Sequence, residues 1–145
     1  MRISSKAEYG LRALLDLAQR YGDGPIQSRD IHERQQIDEN YLNQILIMLR
    51  KSGLIESLRG PQGGHRLARP PAQITLFEAL IALEGPLLSN DLANADDGPP
   101  SLDRAVVRDV WSQMRDVLHS HLSNVTLDDL CQRRRQHAGD VMYYI

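Results

Sequence analysis

Asp38-Glu-Asn-Tyr-Leu-Asn-Gln-Ile-Leu-Ile-Met-Leu-Arg-Lys-Ser52, followed a few positions on by Arg59-Gly-Pro-Gln-Gly-Gly-His65, decides the fold of this 145-residue chain. The first segment reads as an amphipathic helix. Asp38 can cap its free N–H groups, Leu42, Ile45, Leu46 and Leu49 recur on one face, and Gly53 stops it. Asn40, Asn43, Gln44, Ile47, Arg50 and Lys51 then turn outward. The second segment reads as the loop of a hairpin with strands Leu54–Leu58 and His65–Ala68. Gly60, Gly63 and Gly64 permit a tight connection, and Pro61 stiffens it. Upstream, Ser28 is expected to cap a short helix through about Gln35, with Ile31 facing the core. Helix, turn, helix and glycine-rich hairpin predict a winged helix-turn-helix, mainly α with a small β-hairpin wing.

That arrangement offers one helix to the DNA major groove and an arm to the neighbouring backbone or minor groove. Asn and Gln amides can pair bidentately with adenine, and Arg50 and Lys51 can meet phosphate or guanine. The first turns of such a helix reach furthest, which favours Asn40, Tyr41 and Asn43. Arg59 suits the electrostatically negative minor groove. Ser28, Gln44, Gly60, Pro61, Gln62 and His65 complete the expected DNA-facing set. His65 reads as a packing or hydrogen-bonding residue of the wing rather than a metal ligand. An ordinary helix with a solvated face and a merely structural hairpin are the alternatives; the succession of the two favours DNA.

Charge is divided accordingly. Residues 1–70 hold 11 Lys/Arg against 8 Asp/Glu, a net of +3, and residues 71–145 hold 6 against 11, a net of −5. Nucleic-acid contact therefore belongs to the first half. No apolar run approaches a membrane span, and Met1-Arg-Ile-Ser-Ser-Lys6 has no signal-peptide core. The lone cysteine, Cys131, permits no internal disulfide, so a cytoplasmic protein is expected. No nucleophile, base and orienting group are grouped in the sequence, and an enzyme is not expected.

The remaining elements frame this reader. Ser5 and Glu8 are expected to form a capping box for a first helix with the stripe Ala7, Leu11, Leu14, Leu15, Ala18 and Tyr21, ended by Gly22. Thr75 and Glu78 are expected to form another capping box, opening a helix through about Leu83 that Gly85 and Pro86 close. Ser101 caps a long helix to about Asn124, spanning about 35 Å. Its apolar band includes Val106, Val107, Val110, Trp111, Met114, Val117, Leu118, Leu122 and Val125. A band that wide can pack on its own domain and on a second copy together, so Val107, Val110, Trp111, Met114, Val117, Leu118 and Leu122 are the expected dimer contacts. Thr126 and Asp129 cap a short last helix, and Arg133-Arg-Arg135 reads as a solvated face. The domains expected are 1–85 for DNA binding, a loop at 86–100, 101–137 for dimerisation and the short helix, and a tail at 138–145.

Arg2-Ile-Ser-Ser-Lys6, Tyr9-Gly-Leu-Arg-Ala-Leu-Leu15, Tyr41-Leu42, Leu49-Arg-Lys-Ser-Gly-Leu54 and Arg59-Gly-Pro-Gln-Gly-Gly64 resemble the Rrf-two family of bacterial transcription regulators over residues 1–130. The resemblance implies a homodimer on imperfect palindromes near promoters, associated with the nucleoid when bound. It places Asn40, Tyr41 and Asn43 at major-groove positions and Arg59 where a wing arginine enters the minor groove. In the family's iron-sulfur cluster regulator the position of Asn43 is acidic, which implies a different base preference here.

The family's sensing chemistry is where the pattern departs. Many members hold an iron-sulfur cluster through three cysteines before the long helix. Leu87 to Pro100 contains none, Ser101 falls at the third cysteine position, and Arg104 falls where the iron-sulfur regulator has a histidine ligand. No cofactor is expected, and a cluster ligated in the family's usual way is disfavoured. The residual ligand candidates are Glu8, already explained by capping, and Cys131, which shares a face with Leu127 and Leu130 and reads as a small buried hydrophobe or else a redox-active thiol. His119 and His121 point apart on their helix, and Asp91, Asp96 and Asp97 read as a solvated loop. The sequence thus predicts a dimeric regulator, most simply a repressor, answering to an unidentified small molecule or protein. A winged-helix protein-interaction adaptor, or a regulator with an unconventional iron-sulfur or metal centre, is the alternative.

Overall fold

The computed structural model describes residues 3–86 and 99–144. Its elements are α1 (Ser5–Gln19), α2 (Ser28–Gln35), α3 (Glu39–Lys51), β1 (Ile55–Leu58), β2 (Gly64–Leu67), α4 (Leu76–Glu84), α5 (Leu102–Ser123) and α6 (Leu127–Tyr144). The candidate loop ligands Asp91, Asp96 and Asp97, and most of the loop expected at 86–100, lie outside the described residues.

The N-terminal cap differs from expectation. Ser4, not Ser5, precedes the helix in extended conformation, and its side chain accepts from Ala7 N. With the cap moved back by one, Glu8 no longer sits where a capping-box carboxylate must, and it lies exposed in the first turn. Glu84 of α4 takes that role: its Oε1 accepts from Ser4 N at 3.1 Å and from Ser4 Oγ. Ser28 is likewise the first helical residue of α2 rather than its cap. Gln27 precedes it in extended conformation, without a side-chain capping bond.

The helix-turn-helix is built as its apolar positions require. Leu42, Ile45, Leu46 and Leu49 of α3 are buried with Ile31 of α2 and Ile37 of the turn. Gln36 turns the chain in the left-handed region, φ 55°, and its N–H closes on His32 O. Asp38 caps α3 through Tyr41 N at 3.1 Å, as its position predicts. α1 supplies Ala13, Leu14, Leu17 and Ala18 to the same core, and α4 supplies Ala79 and Leu83. Tyr21, expected on the α1 stripe, lies beyond the helix and is exposed.

The wing is an antiparallel pair in the register Ile55↔Leu67, Glu56↔Arg66, Ser57↔His65 and Leu58↔Gly64. Ile26, ahead of α2, bridges to its free edge: Ile26 N donates to His65 O at 2.8 Å, and His65 N donates to Ile26 O at 2.7 Å. These bonds tie the wing to the helix-turn-helix.

Thr75 and Ser101 cap α4 and α5 as expected, accepting from Glu78 N and Arg104 N, but the Glu78 carboxylate pairs with Arg69 instead of closing a capping box. Thr126 and Asp129 form a reciprocal capping box, Thr126 N to Asp129 Oδ2 at 2.9 Å and Asp129 N to Thr126 Oγ1 at 3.1 Å. The helix they open is not short. α6 continues to Tyr144 through the segment expected to be a tail; Leu127 and Cys131 in its first turns are buried, and residues 132–141 are exposed. Residues 132–137 are all polar or charged, so no apolar stripe leads into the extra turns.

Candidate nucleic-acid interface

The two faces of α3 divide cleanly. With its four apolar residues sealed in the core, Asn40, Asn43, Gln44, Ile47, Arg50 and Lys51 are all exposed. Arg50 and Lys51 also lie in the last turn, where cations are favoured by the helix dipole. Tyr41 is half-buried, its ring edge-on to Tyr9 with centroids 5.7 Å apart, and the Arg12 guanidinium lies 5.5 Å from the Tyr9 ring centre. Tyr41 is thus a held side chain rather than a free one.

At the wing tip Arg59, Gly60, Pro61 and Gln62 are exposed. Gly60 has φ +107° and Gly64 φ +151°. At Gly64 a Cβ would lie 2.5 Å from Ile26 O, and at Gly63 it would run into the Leu58 carbonyl oxygen. The tip therefore needs glycine for backbone proximity as well as for conformation. His65 is half-buried, with its Nδ1 2.8 Å from Ser57 Oγ. Burial, and then the Arg50 charge, push its imidazole below the usual histidine pKa. Arg66, across from Glu56, is engaged by it at 3.1 Å. Ser28 is half-buried.

Beneath this surface lies a polar anchor that periodicity did not reveal. Asp16 is the one charged side chain fully buried among the described residues. Arg34 of α2 grips it with Nε to Oδ2 at 3.0 Å and Nη2 to Oδ1 at 2.9 Å, and Gln35 Nε2 donates at 3.0 Å. Burial raises the Asp16 pKa, but the bonds from Arg34 and Gln35 and the charges of Arg20 and Arg34 outweigh it, holding the carboxyl below its ordinary value. Arg12 reaches the carbonyl of Gln35 as well. The end of α2, and with it the turn into α3, is thus fixed to α1. The signal in the sequence was an acidic residue at a core position of α1, which is unusual unless paired.

The long helix carries two rows. Val107, Val110, Met114 and Val117 are exposed, at 50%, 51%, 37% and 68%, whereas Trp111 and Leu118 are half-buried. Leu122, expected at a dimer interface, is buried instead with Ala7 and Leu80 of its own chain. The band is therefore split between an inward and an outward row, four residues of the expected set lying in the latter.

Fold and surface together define a winged helix-turn-helix DNA reader. The chain matches the Rrf2 family, described as iron-dependent transcriptional regulators, over residues 3–133, and belongs to it. It is 33% identical over 145 residues to the HTH-type transcriptional regulator CymR of Bacillus subtilis, covering the whole of both chains. It is 34% identical over 130 residues to the regulator IscR of Photorhabdus laumondii, covering 90% of this chain and 79% of that one. The solved structure of CymR, the global cysteine regulator of B. subtilis, superposes with a TM-score of 0.76 at 32% identity, covering 92% of this chain and 98% of that one. The protein is a DNA-binding transcription regulator, a class distinct from enzymes. No helix among the described residues is long and apolar enough to cross a membrane.

The family's description names iron, and the donor set of this chain bears on it directly. The chain has one cysteine, and it is buried in the core at the start of α6. Among the described residues no three His, Cys, Asp or Glu side chains group together, at Glu8 or elsewhere. Ser101 Oγ is occupied in capping, and Arg104 beside it is a cation. These donors do not fit a cluster held by three thiolates of one protomer.

Proposed function

We propose that the protein is a homodimeric repressor that reads palindromic promoter sites with α3 and the wing, and that it works without the family's cysteine-ligated cluster. The observation carrying the DNA reading is the exposed row Asn40, Asn43, Gln44 and Arg50 on a helix whose opposite face is wholly buried, beside an exposed wing arginine. Amides and guanidinium groups on one rigid face have the donor and acceptor pattern that base edges and phosphates complement. Arg59 is assigned to the minor groove. The homodimer rests on the outward row of α5, whose four large apolar side chains at a spacing of three and four residues suit a helix of a second copy. Two reading heads related by that two-fold axis select a palindromic site, and a dimer seated there represses by occupying promoter DNA. The signal that releases it is assigned to a small molecule or protein partner, and the setting to the cytoplasm.

The experiment is a selection from random duplexes with purified protein, followed by light scattering on the free protein. Enrichment of an inverted repeat, at least about a thousandfold preferred over bulk DNA at physiological salt, is the expected result. Met114→Arg should yield a monomer with weakened operator binding. A monomeric wild type, or binding with no sequence preference, would sink the reading; a steep loss of affinity with salt separates it from protein-adaptor function.

A further inference from the structure

Between α3 and the wing runs a groove of about 170 Å³, lined by Asn43, Leu46, Ile47 and Arg50 on one side and by Ser57 and His65 on the other. Its walls are firm. Leu46 is core, and the His65 backbone is bonded in both directions to Ile26. The Ser57 bond to Nδ1 orients the His65 ring, whose Nε2 has no hydrogen bond to another described residue. Arg50 is exposed and has no carboxylate partner among the described residues. The groove thus offers a guanidinium, a hydroxyl and an imidazole, and no acid.

The charges around His65 leave one interaction in play. Glu56 and Arg66, its neighbours on β1 and β2, belong to the opposite face of the hairpin and pair with each other. Ile26 presents its backbone. Arg50, from α3, is the charged group whose field reaches the ring, and with burial it favours the neutral form. A cation and a protonatable base facing one another without an anion between them make an incomplete arrangement, which a phosphate oxygen completes.

We propose that this groove seats one backbone phosphate of the bound DNA, and that His65 takes up a proton as the phosphate enters. The inference deepens the DNA-reading assignment and rests on it. Arg50 donates from one wall and His65 Nε2–H from the other. On protonation at Nδ1, the ring donates to Ser57 Oγ, so that bond persists in either charge state. The contact fixes the spacing of α3 and wing on the duplex without reading sequence.

The test uses the full chain and the selected operator, with affinity measured by fluorescence anisotropy from about pH 5.5 to 8.5, spanning the range in which histidine titrates. Affinity should fall as pH rises, by up to about tenfold per pH unit at the steepest, the limit for one linked proton. His65→Gln should still bind the operator specifically but lose this dependence, and Arg50→Gln should reduce the salt slope by about 0.9. NMR titration of the wild-type His65 ring, free and operator-bound, reads the same linkage without a substitution; its pKa should rise in the complex. An unchanged or lowered ring pKa in the complex, or identical pH dependence in wild type and His65→Gln with specific binding intact, overturns the phosphate site and leaves the DNA reading standing. Failure of the wild type to prefer any operator at any pH overturns both.

Discussion

Asp16 and Arg34, eighteen positions apart, meet through two parallel hydrogen bonds of 2.9 and 3.0 Å that clamp α2 to α1. The pair is asymmetric. The Asp16 side chain is 1% exposed and that of Arg34 34%. Removing Asp16 lets Arg34 swing into water, whereas removing Arg34 strands a buried carboxylate with Gln35 and Arg20. Arg34→Ala should therefore destabilise by about 1–3 kcal/mol, below the full cost of breaking a wholly buried pair because Arg34 is partly solvated and Arg20 remains. Urea titration of the two alanine variants checks the order. Asp16 also sets a pH signature. Its folded-state pKa is depressed, so its contribution is present above the unfolded value of about 3.9 and lost as pH falls through the folded one. The deficit of Arg34→Ala should accordingly be largest near neutrality and shrink on acidification. A deficit constant down to about pH 2 would contradict this account of Asp16.

Ser4 and Ser5 should behave oppositely despite being adjacent. Ser4 caps α1 and bonds Glu84, while Ser5 is exposed in the first turn. Ser4→Ala should cost about 1 kcal/mol or somewhat more, the usual loss on removing a cap, and Ser5→Ala a few tenths. Thermal melts decide it, and equal effects would return the cap to Ser5. Glu84→Gln should fall between them, because an amide oxygen still accepts from Ser4 N but carries no charge.

What was legible in the sequence is what local periodicity encodes. The α3 faces and the caps at Asp38, Thr75, Ser101 and Thr126 follow from residues within four positions of one another, and the hairpin from a single glycine-rich loop; the structure has them all. Glu84 capping Ser4 and Arg34 gripping Asp16 join positions 80 and 18 apart, and no local pattern carries such information. The Ser4–Ser5 ambiguity has the same origin, since Glu8 lies at capping-box spacing from Ser5 but the distant Glu84 selects Ser4. The length of α6 was missed for a different reason. Residues 132–141 are all exposed, so no burial periodicity runs on from Cys131 to mark its later turns.

Gly64 ties the wing to the body of the domain. Its φ of +151° lies outside what L side chains favour, and an added methyl meets the Ile26 backbone that bridges to His65. Gly64→Ala should detach the strand pair from Ile26, loosening wing and groove together. Operator affinity should fall at least about tenfold, equivalent to 1.4 kcal/mol, with the α-helical circular dichroism retained. Gly60→Ala makes the comparison, because nothing surrounds a Cβ there and only the positive φ of 107° opposes it. Its loss should be smaller, and equal losses would locate the glycine requirement in tip conformation rather than in contact with Ile26.

Cys131 should be chemically quiet. It is buried among core side chains at the start of α6, and burial, with the Asp128 charge, pushes its thiol above the ordinary cysteine pKa; Arg134 and Arg135 pull the other way without prevailing. A thiol that is protonated and shielded is a poor nucleophile. Iodoacetamide at about pH 8 should alkylate the native protein at least ten times more slowly than the urea-unfolded chain, in which the thiol approaches its free pKa of about 8.5. Cys131→Ala should leave operator affinity and its response to oxidants unchanged. Cys131→Ser, which puts a hydroxyl into an apolar site, should cost about 1–3 kcal/mol of stability. Rapid labelling of the folded protein, or oxidant-dependent release from DNA abolished by Cys131→Ala, would instead make this thiol the sensor.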